Sequence, residues 1–210
     1  CALPISLRAA GAELNLARLF LASVVACPLV AGCDSKPVFN SLDVTGIAGY
    51  GNDFRLTDHT GKARTMADFR GKAVLMFFGY TQCPDVCPTT LSDMKKVAQL
   101  LGPDAQRFQV LFVTVDPKRD TQELLAAYVP SFNPSFLGLR GDQAAIDKVA
   151  QDFKIIHQIE PGKTPDSYTV GHTASSLVFD PAGRLRLFVT YGAEPEKVAA
   201  DIKLLLKGTT

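Results

Sequence analysis

The chain has 210 residues, 47% of them hydrophobic and 20% charged, with a formal net charge of +1. That is the composition of one globular domain with a tail to spare, and it excludes a disordered chain. No basic run with interleaved aromatics occurs, which argues against a nucleic-acid partner, and five cysteines are too few for a disulfide-stapled miniprotein of this length.

Arg8 and Arg18 precede the apolar run LFLASVVACPLV (19–30), which ends in Val30-Ala31-Gly32-Cys33. The run is far shorter than the roughly 20 residues that span a bilayer. A basic start, a short apolar stretch and small residues at its end read as a secretory signal over residues 1–32. Its ending, V-A-G-C, resembles a bacterial lipobox, in which the cysteine is acylated and becomes the mature N-terminus. Cys33 is therefore the lipidation candidate, and the domain is expected on the extracytoplasmic (periplasmic) side of a bacterial cell membrane, held by a lipid anchor. An uncleaved short membrane anchor is the alternative, and it exports the domain equally. Cys27 reads as a small hydrophobe within the run. Residues 33–44 read as a polar tether and residues 45–210 as the folded domain.

In that domain, 44–50 and 54–56 suggest two short strands or a hairpin, with DHTGK (58–62) as a turn. Residues 66–69 form a helical turn. AVLMFF (73–78) is a continuous apolar run, the mark of a strand buried on both faces. A helix from about Pro88 carries the stripe Leu91, Met94, Val97, Ala98 and Leu101. VLFVTV (110–115) is a second buried strand, followed by a helix over 121–128 with Asp120 or Thr121 as N-cap. Further helices are expected over 142–153 and 195–206, and a strand over 155–159. Two strands at 176–179 and 185–189 flank the turn DPAGR. This order is α/β: a central mixed sheet flanked by helices with an N-terminal β-hairpin extension, as in a thioredoxin-like fold.

Between the first buried strand and its helix stands QCPDVCPTTL, with Cys83 and Cys87 one helical turn apart. On a helix, residues i and i+4 have Cβ atoms roughly 5–6 Å apart. Modest distortion would close a Cys83–Cys87 disulfide, and the same face would present two thiolates to a metal. A helix N-terminus favours thiolate over thiol. Two thiolates leave a metal site incomplete, and the chain has three histidines. His59, in a polar turn, reads as exposed. His157, in a strand, reads as facing solvent or a local partner. His172 follows Gly171 and immediately precedes a core strand. Two sulfurs and one imidazole suit copper, Cu(I) through the thiolates and Cu(II) through the nitrogen. Zinc is the chemical competitor, but a structural zinc site normally needs a fourth protein ligand.

FFGYTQCPDVCPTTL (77–91) resembles the copper-site motif of the Sco (SenC/PrrC) family. VTVDPKRDT (113–121), GLRGD with the helix after it, and YTVGHTASSLVFDPAGRL (168–185) resemble further family blocks, over about residues 45–206. The resemblance implies a membrane-tethered thioredoxin-like domain that matures the binuclear copper centre of cytochrome c oxidase. Its partner would be the copper-bearing oxidase subunit or another copper chaperone. By position, Cys83, Cys87 and His172 would be the copper ligands. Gly171 departs from the acidic residue usual before this histidine, which bears on docking or tuning. Asp116 falls in a matching block and also reads as an Asp-Pro turn that caps a helix.

The leading expectation is a copper metallochaperone. The alternative is a thiol–disulfide oxidoreductase using Cys83 and Cys87 as its redox pair. A general thioredoxin is disfavoured by the extra residue between the cysteines and the absence of tryptophan, and a peroxiredoxin by Tyr80. A fixed structural disulfide is a third reading, weakened because so short a loop gains little from closure. Metal site and disulfide are compatible in alternation, since oxidation would remove both thiolates at once.

Overall fold

The computed structural model of the chain describes residues 38–164 and 167–208. Cys33 and the run 19–30 lie outside the described residues. In chain order the elements are β1 (Leu42–Asp43), β2 (Leu56–Asp58), β3 (Ala63–Arg64), β4 (Ala73–Gly79), α1 (Val86–Leu101), β5 (Phe108–Thr114), α2 (Gln122–Phe132) and β6 (Leu137–Arg140). They continue as α3 (Gln143–Asp152), β7 (His157–Pro161), β8 (Tyr168–His172), β9 (Ser176–Phe179), β10 (Leu185–Val189) and α4 (Pro195–Leu206), with short 3₁₀ turns at Met66–Phe69 and Gly102–Arg107. No described helix is long and apolar enough to cross a membrane.

Every residue of β4 and of β5 is buried, as their unbroken apolar runs require. They pair in parallel from Ala73 opposite Phe108 to Gly79 opposite Thr114, at the centre of an eight-stranded sheet ordered β1-β10-β9-β4-β5-β6-β2-β3. Side chains alternate across the sheet. Leu75 and Phe77 join one core with Leu91 of α1, Leu125 of α2 and Ile202 of α4, while Val74, Met76 and Phe78 join a second with Ile146 and Val149 of α3. Burying one such side chain contributes roughly 1.5–3 kcal/mol. Helices therefore cover both faces of a mixed sheet, which is the thioredoxin-like arrangement expected.

Several boundaries differ from the sequence expectation. The hairpin at the sheet edge is β2 with β3 around DHTGK, and 44–50 forms no strand. The folded unit starts before Thr45. Leu42 and Asp43 pair with β10, and the Asn40 and Ser41 amides donate to the Asp201 carboxylate, both at 2.8 Å. The compact unit therefore begins within the stretch read as tether. Helix α2 runs through Pro130 to Phe132. Its N-cap is Thr121, whose Oγ1 accepts from the Leu124 amide at 3.2 Å.

β7 and β8 form a separate two-stranded antiparallel sheet, with His157 opposite His172 and Pro161 opposite Tyr168. Tyr168–His172 was not legible as a strand, because its burial alternates only weakly.

Candidate metal centre

The C-terminal end of β4 leads through the turn at Tyr80–Asp85 into α1. Cys83 lies in that turn, its amide donating to the Tyr80 carbonyl at 3.2 Å, and Cys87 is the second residue of the helix. The two cysteines are thus not on one helical face as expected. The helix begins between them, so the loop rather than helical spacing brings the sulfurs together. Cys87 is fully buried and Cys83 half-buried, and both are free thiols.

Gly79 makes this possible. A Cβ at that position would lie 2.5 Å from Cys87 Sγ and 3.0 Å from Phe112 Cε2. Only glycine leaves room for the sulfur beside the end of β4.

The third member arrives from β8. His172 Nε2 lies 3.7 Å from Cys87 Sγ, and the ligand atoms of Cys83, Cys87 and His172 are all within 4.8 Å of one another. His172 Nδ1 is 3.1 Å from the Thr173 carbonyl. A carbonyl only accepts, so Nδ1 carries the proton and Nε2 keeps its lone pair toward the sulfurs. Burial lowers the His172 pKa, against the Thr173 hydrogen bond, and keeps the imidazole neutral as a ligand must be. The Tyr80 ring stands edge-on to His172, centroids 6.1 Å apart.

Burial pushes the Cys87 thiol well above the usual cysteine range, outweighing the Tyr80 backbone hydrogen bond that favours the thiolate. This reverses the expectation that the helix N-terminus would yield a thiolate there. A bound cation would restore the thiolate by supplying the missing positive charge.

The other two histidines stay apart from the site. His59 is half-buried rather than exposed, its Nδ1 accepting from the Gly138 amide at 3.1 Å. His157 has the local partner anticipated, Nε2 lying 3.3 Å from Asp147 Oδ1. Gly171 lies within β8 without a left-handed backbone, and the Glu160 carboxylate occupies the space beside it, 2.7 Å from where a Cβ would stand. Among the described residues, Cys83, Cys87 and His172 are the one group of three or more His, Cys, Asp or Glu side chains close enough to share a metal ion.

Two neighbouring carboxylates, Asp116 and Asp120, have roles other than the helix capping expected of them. Asp120 is fully buried and accepts from Thr81 Oγ1 and Thr114 Oγ1, each at 2.6 Å, and from the Thr81 amide. It thereby fixes the residue two before Cys83 to the end of β5. Burial raises its pKa, against the two threonine hydroxyls. Asp116 is not a helix cap. It is buried and binds Tyr168 Oη at 2.9 Å and the Arg119 guanidinium. The block VTVDPKRDT contained both, but nothing in its pattern said that they face the cysteine loop.

The SCO1/SenC family model matches residues 43–207 of the chain. The human mitochondrial SCO2 homolog is 39% identical over 153 residues, covering 72% of this chain and 58% of that protein. The chain thus spans less than two thirds of the curated relatives it matches first. Bradyrhizobium japonicum ScoI, solved with copper bound, is 42% identical with a TM-score of 0.68, covering 73% of this chain and 98% of that one. Apo Sco1 of Thermus thermophilus is 39% identical with a TM-score of 0.70, covering 80% and 97%. With the thioredoxin-like sheet and this match across the folded unit, the chain belongs to the SCO1/SenC family.

Proposed function

We propose that the protein binds copper as cargo through Cys83 Sγ, Cys87 Sγ and His172 Nε2 and passes it to, or prepares, the copper centre of cytochrome c oxidase. The observation that carries this reading is the convergence of two sulfurs and one unprotonated imidazole nitrogen within 4.8 Å. Soft sulfur donors suit Cu(I), and the imidazole extends the set to Cu(II). The copper-bound ScoI relative supports the same choice. Three protein ligands leave the metal open to an incoming thiolate or imidazole, which transfer by ligand exchange requires.

The chain's own residues prepare the exchange. Burial keeps Cys87 protonated until metal arrives, so loading displaces its proton, and the Thr173 carbonyl holds the His172 ring with Nε2 inward. Anaerobic titration of the reduced protein with Cu(I) and Cu(II) tests the reading. His172→Ala should lose tight Cu(II) binding and keep Cu(I), and Cys83→Ser should weaken both. An unchanged Cu(II) stoichiometry and spectrum in His172→Ala would overturn it.

The burial difference between the cysteines favours a second, compatible reading as a thiol–disulfide oxidoreductase. The accessible Cys83 thiolate attacks a partner disulfide, forming a mixed disulfide and releasing one partner thiolate. Cys87 gives its proton to the released partner thiolate as it attacks Cys83 Sγ, which closes Cys83–Cys87 and releases the second partner sulfur. Two electrons pass to the partner, and the two thiol protons end on its cysteines. Turnover on generic disulfides that ignores His172→Ala would favour this reading. Acylation at Cys33 would hold the domain at the extracytoplasmic face of a bacterial membrane. Cys33→Ser should then move the protein to the soluble fraction.

A further inference from the structure

Arg119 is not one of the three candidate ligands, yet it touches both segments that carry them. Its Nε donates to Asp116 Oδ2, and its Nη1 donates to the Tyr168 carbonyl at 3.0 Å and to Gln82 Oε1 at 3.2 Å. The guanidinium stacks 3.6 Å from the centroid of the Tyr168 ring and lies 5.5 Å from that of Tyr80. Tyr168 Oη closes the ring of contacts by donating to Asp116 Oδ1. Gln82 immediately precedes Cys83. Tyr168 begins the strand that ends in His172.

The hairpin of β7 and β8 needs such a fastening. It stands outside the main sheet, and an isolated two-stranded ribbon is marginally stable in water. Its base is tied by the Thr173 amide donating to the Ile156 carbonyl at 2.9 Å and by His157 against Asp147. The far end, at Tyr168, is tied by Asp116 and Arg119. Arg119 Nη2 is buried without a hydrogen-bond partner, so the desolvation of that donor goes uncompensated. A guanidinium held at that expense between two tyrosines is a poor general stabiliser and a specific spacer. Its planar fork and stacking face are features that lysine lacks.

We propose that Arg119 is a positioning residue for the metal centre: anchored by Asp116 and stacked on Tyr168, it clamps the His172-bearing hairpin against the Cys83 loop and sets how the imidazole meets the two sulfurs. The proposal rests on the copper-binding reading for its consequence, though the clamp itself is a property of the metal-free protein. Because His172 contributes most to Cu(II), loss of the clamp affects Cu(II) more than Cu(I).

The test uses the full chain carrying Arg119→Ala or Arg119→Lys. In the metal-free protein, amide hydrogen exchange at Thr169–His172 should quicken about tenfold, with α1 and β5 unchanged. Cu(II) affinity should fall about 10–100-fold, the range for losing a group that orients a ligand, with a shifted sulfur-to-copper absorption band. Cu(I) affinity should change by less than about threefold, because the two thiolates that carry it remain. Arg119→Lys should move in the same direction, since charge alone does not restore the fork. If Arg119→Ala fails to fold, Asp116→Asn serves instead: it removes the charge that anchors the guanidinium and should lower Cu(II) affinity more than Cu(I) affinity, in the same direction as Arg119→Lys. Wild-type Cu(II) affinity and spectrum in Arg119→Ala would overturn the proposal, as would equal losses of Cu(I) and Cu(II) accompanied by a general fall in melting temperature. If the wild type binds no copper, the copper reading fails by itself. Unchanged β8 exchange in Arg119→Ala would then overturn the clamp independently.

Discussion

The turns joining β2 to β3 and β9 to β10 carry one pattern, DHTGKAR from Asp58 and DPAGRLR from Asp180, and they bury their carboxylates in the same way. Asp58 accepts from the Thr60 and Lys62 amides, the Thr60 hydroxyl and Arg64 Nε, while Asp180 accepts from the Ala182 and Arg184 amides and from Arg184 and Arg186. Gly61 and Gly183 supply the left-handed residue each turn needs. Every partner lies within six residues, so each turn is complete in its own sequence. The candidate metal centre is the opposite case. Cys87 and His172 are 85 residues apart and meet only because the fold brings the end of β8 beside the turn and helix that follow β4. Local turns should therefore fail through stability alone. The assembled centre should fail in metal binding as well, which the local turns leave untouched.

The sharpest way to break the local side is Asp180→Ala. It strips the carboxylate from Arg184 and from the buried Arg186, and breaking a buried ion pair costs about 3–5 kcal/mol. Denaturant unfolding should show that loss, while copper stoichiometry in the surviving folded fraction should stay at the wild-type value.

Gly79→Ala tests the assembled side. The new methyl would stand 2.5 Å from Cys87 Sγ, and overpacking of this kind costs about 1–3 kcal/mol. The displaced sulfur should also weaken copper binding, read by titration. Full retention of both stability and affinity would show that the close approach of Gly79 to the sulfur is unimportant.

The pH dependence of Asp58 sharpens the comparison. Burial alone would raise its carboxyl, but the Thr60 hydroxyl, Arg64 and the Lys62 and Thr60 amides together bring it down to about 2. A carboxyl depressed in the folded state stabilises the fold above its unfolded pKa, near 4, and loses that contribution as pH falls toward 2. About 2 kcal/mol of stability should therefore disappear over that window, and Asp58→Asn should flatten the pH profile there.

The smallest effect belongs to Lys148, whose pair with Asp152 on α3 is exposed. Lys148→Ala should change stability by less than about 0.5 kcal/mol. A larger loss would mean that exposed local pairs count for more than the buried turns suggest.

Most of the scaffold was legible because its signals are local. AVLMFF and VLFVTV are buried strands, the stripes of α1, α3 and α4 face the cores, and both Asp-Gly turns fall where their residues demand. The helix N-cap at Thr121, one of the two residues expected there, follows the same logic. The illegible parts are those whose partners are distant. β1 and β6 are short strands whose alternation is too brief to register, and each exists because a neighbouring strand offers an edge. Asp116 and Asp120 read as capping residues and Arg119 carried no signal, because the groups that they bind, Tyr168 and Thr81, are 39 to 52 residues away in sequence.

The sequence by itself determined the chemistry available: two thiols at the end of a buried strand, beside a helix start, and three histidines from which a third ligand could come. The family resemblance pointed to His172 among them, and only the tertiary structure gave the physical reason. It engaged His59 with a backbone amide and His157 with Asp147, and it turned His172 Nε2 toward Cys87 by giving Nδ1 a carbonyl. It also decided the state of the sulfurs, since burial rather than the helix dipole governs Cys87. The physical reason is range. Turn geometry and strand patterning are set by neighbours within a few residues, whereas desolvation and the meeting of ligands depend on what the whole fold packs against them.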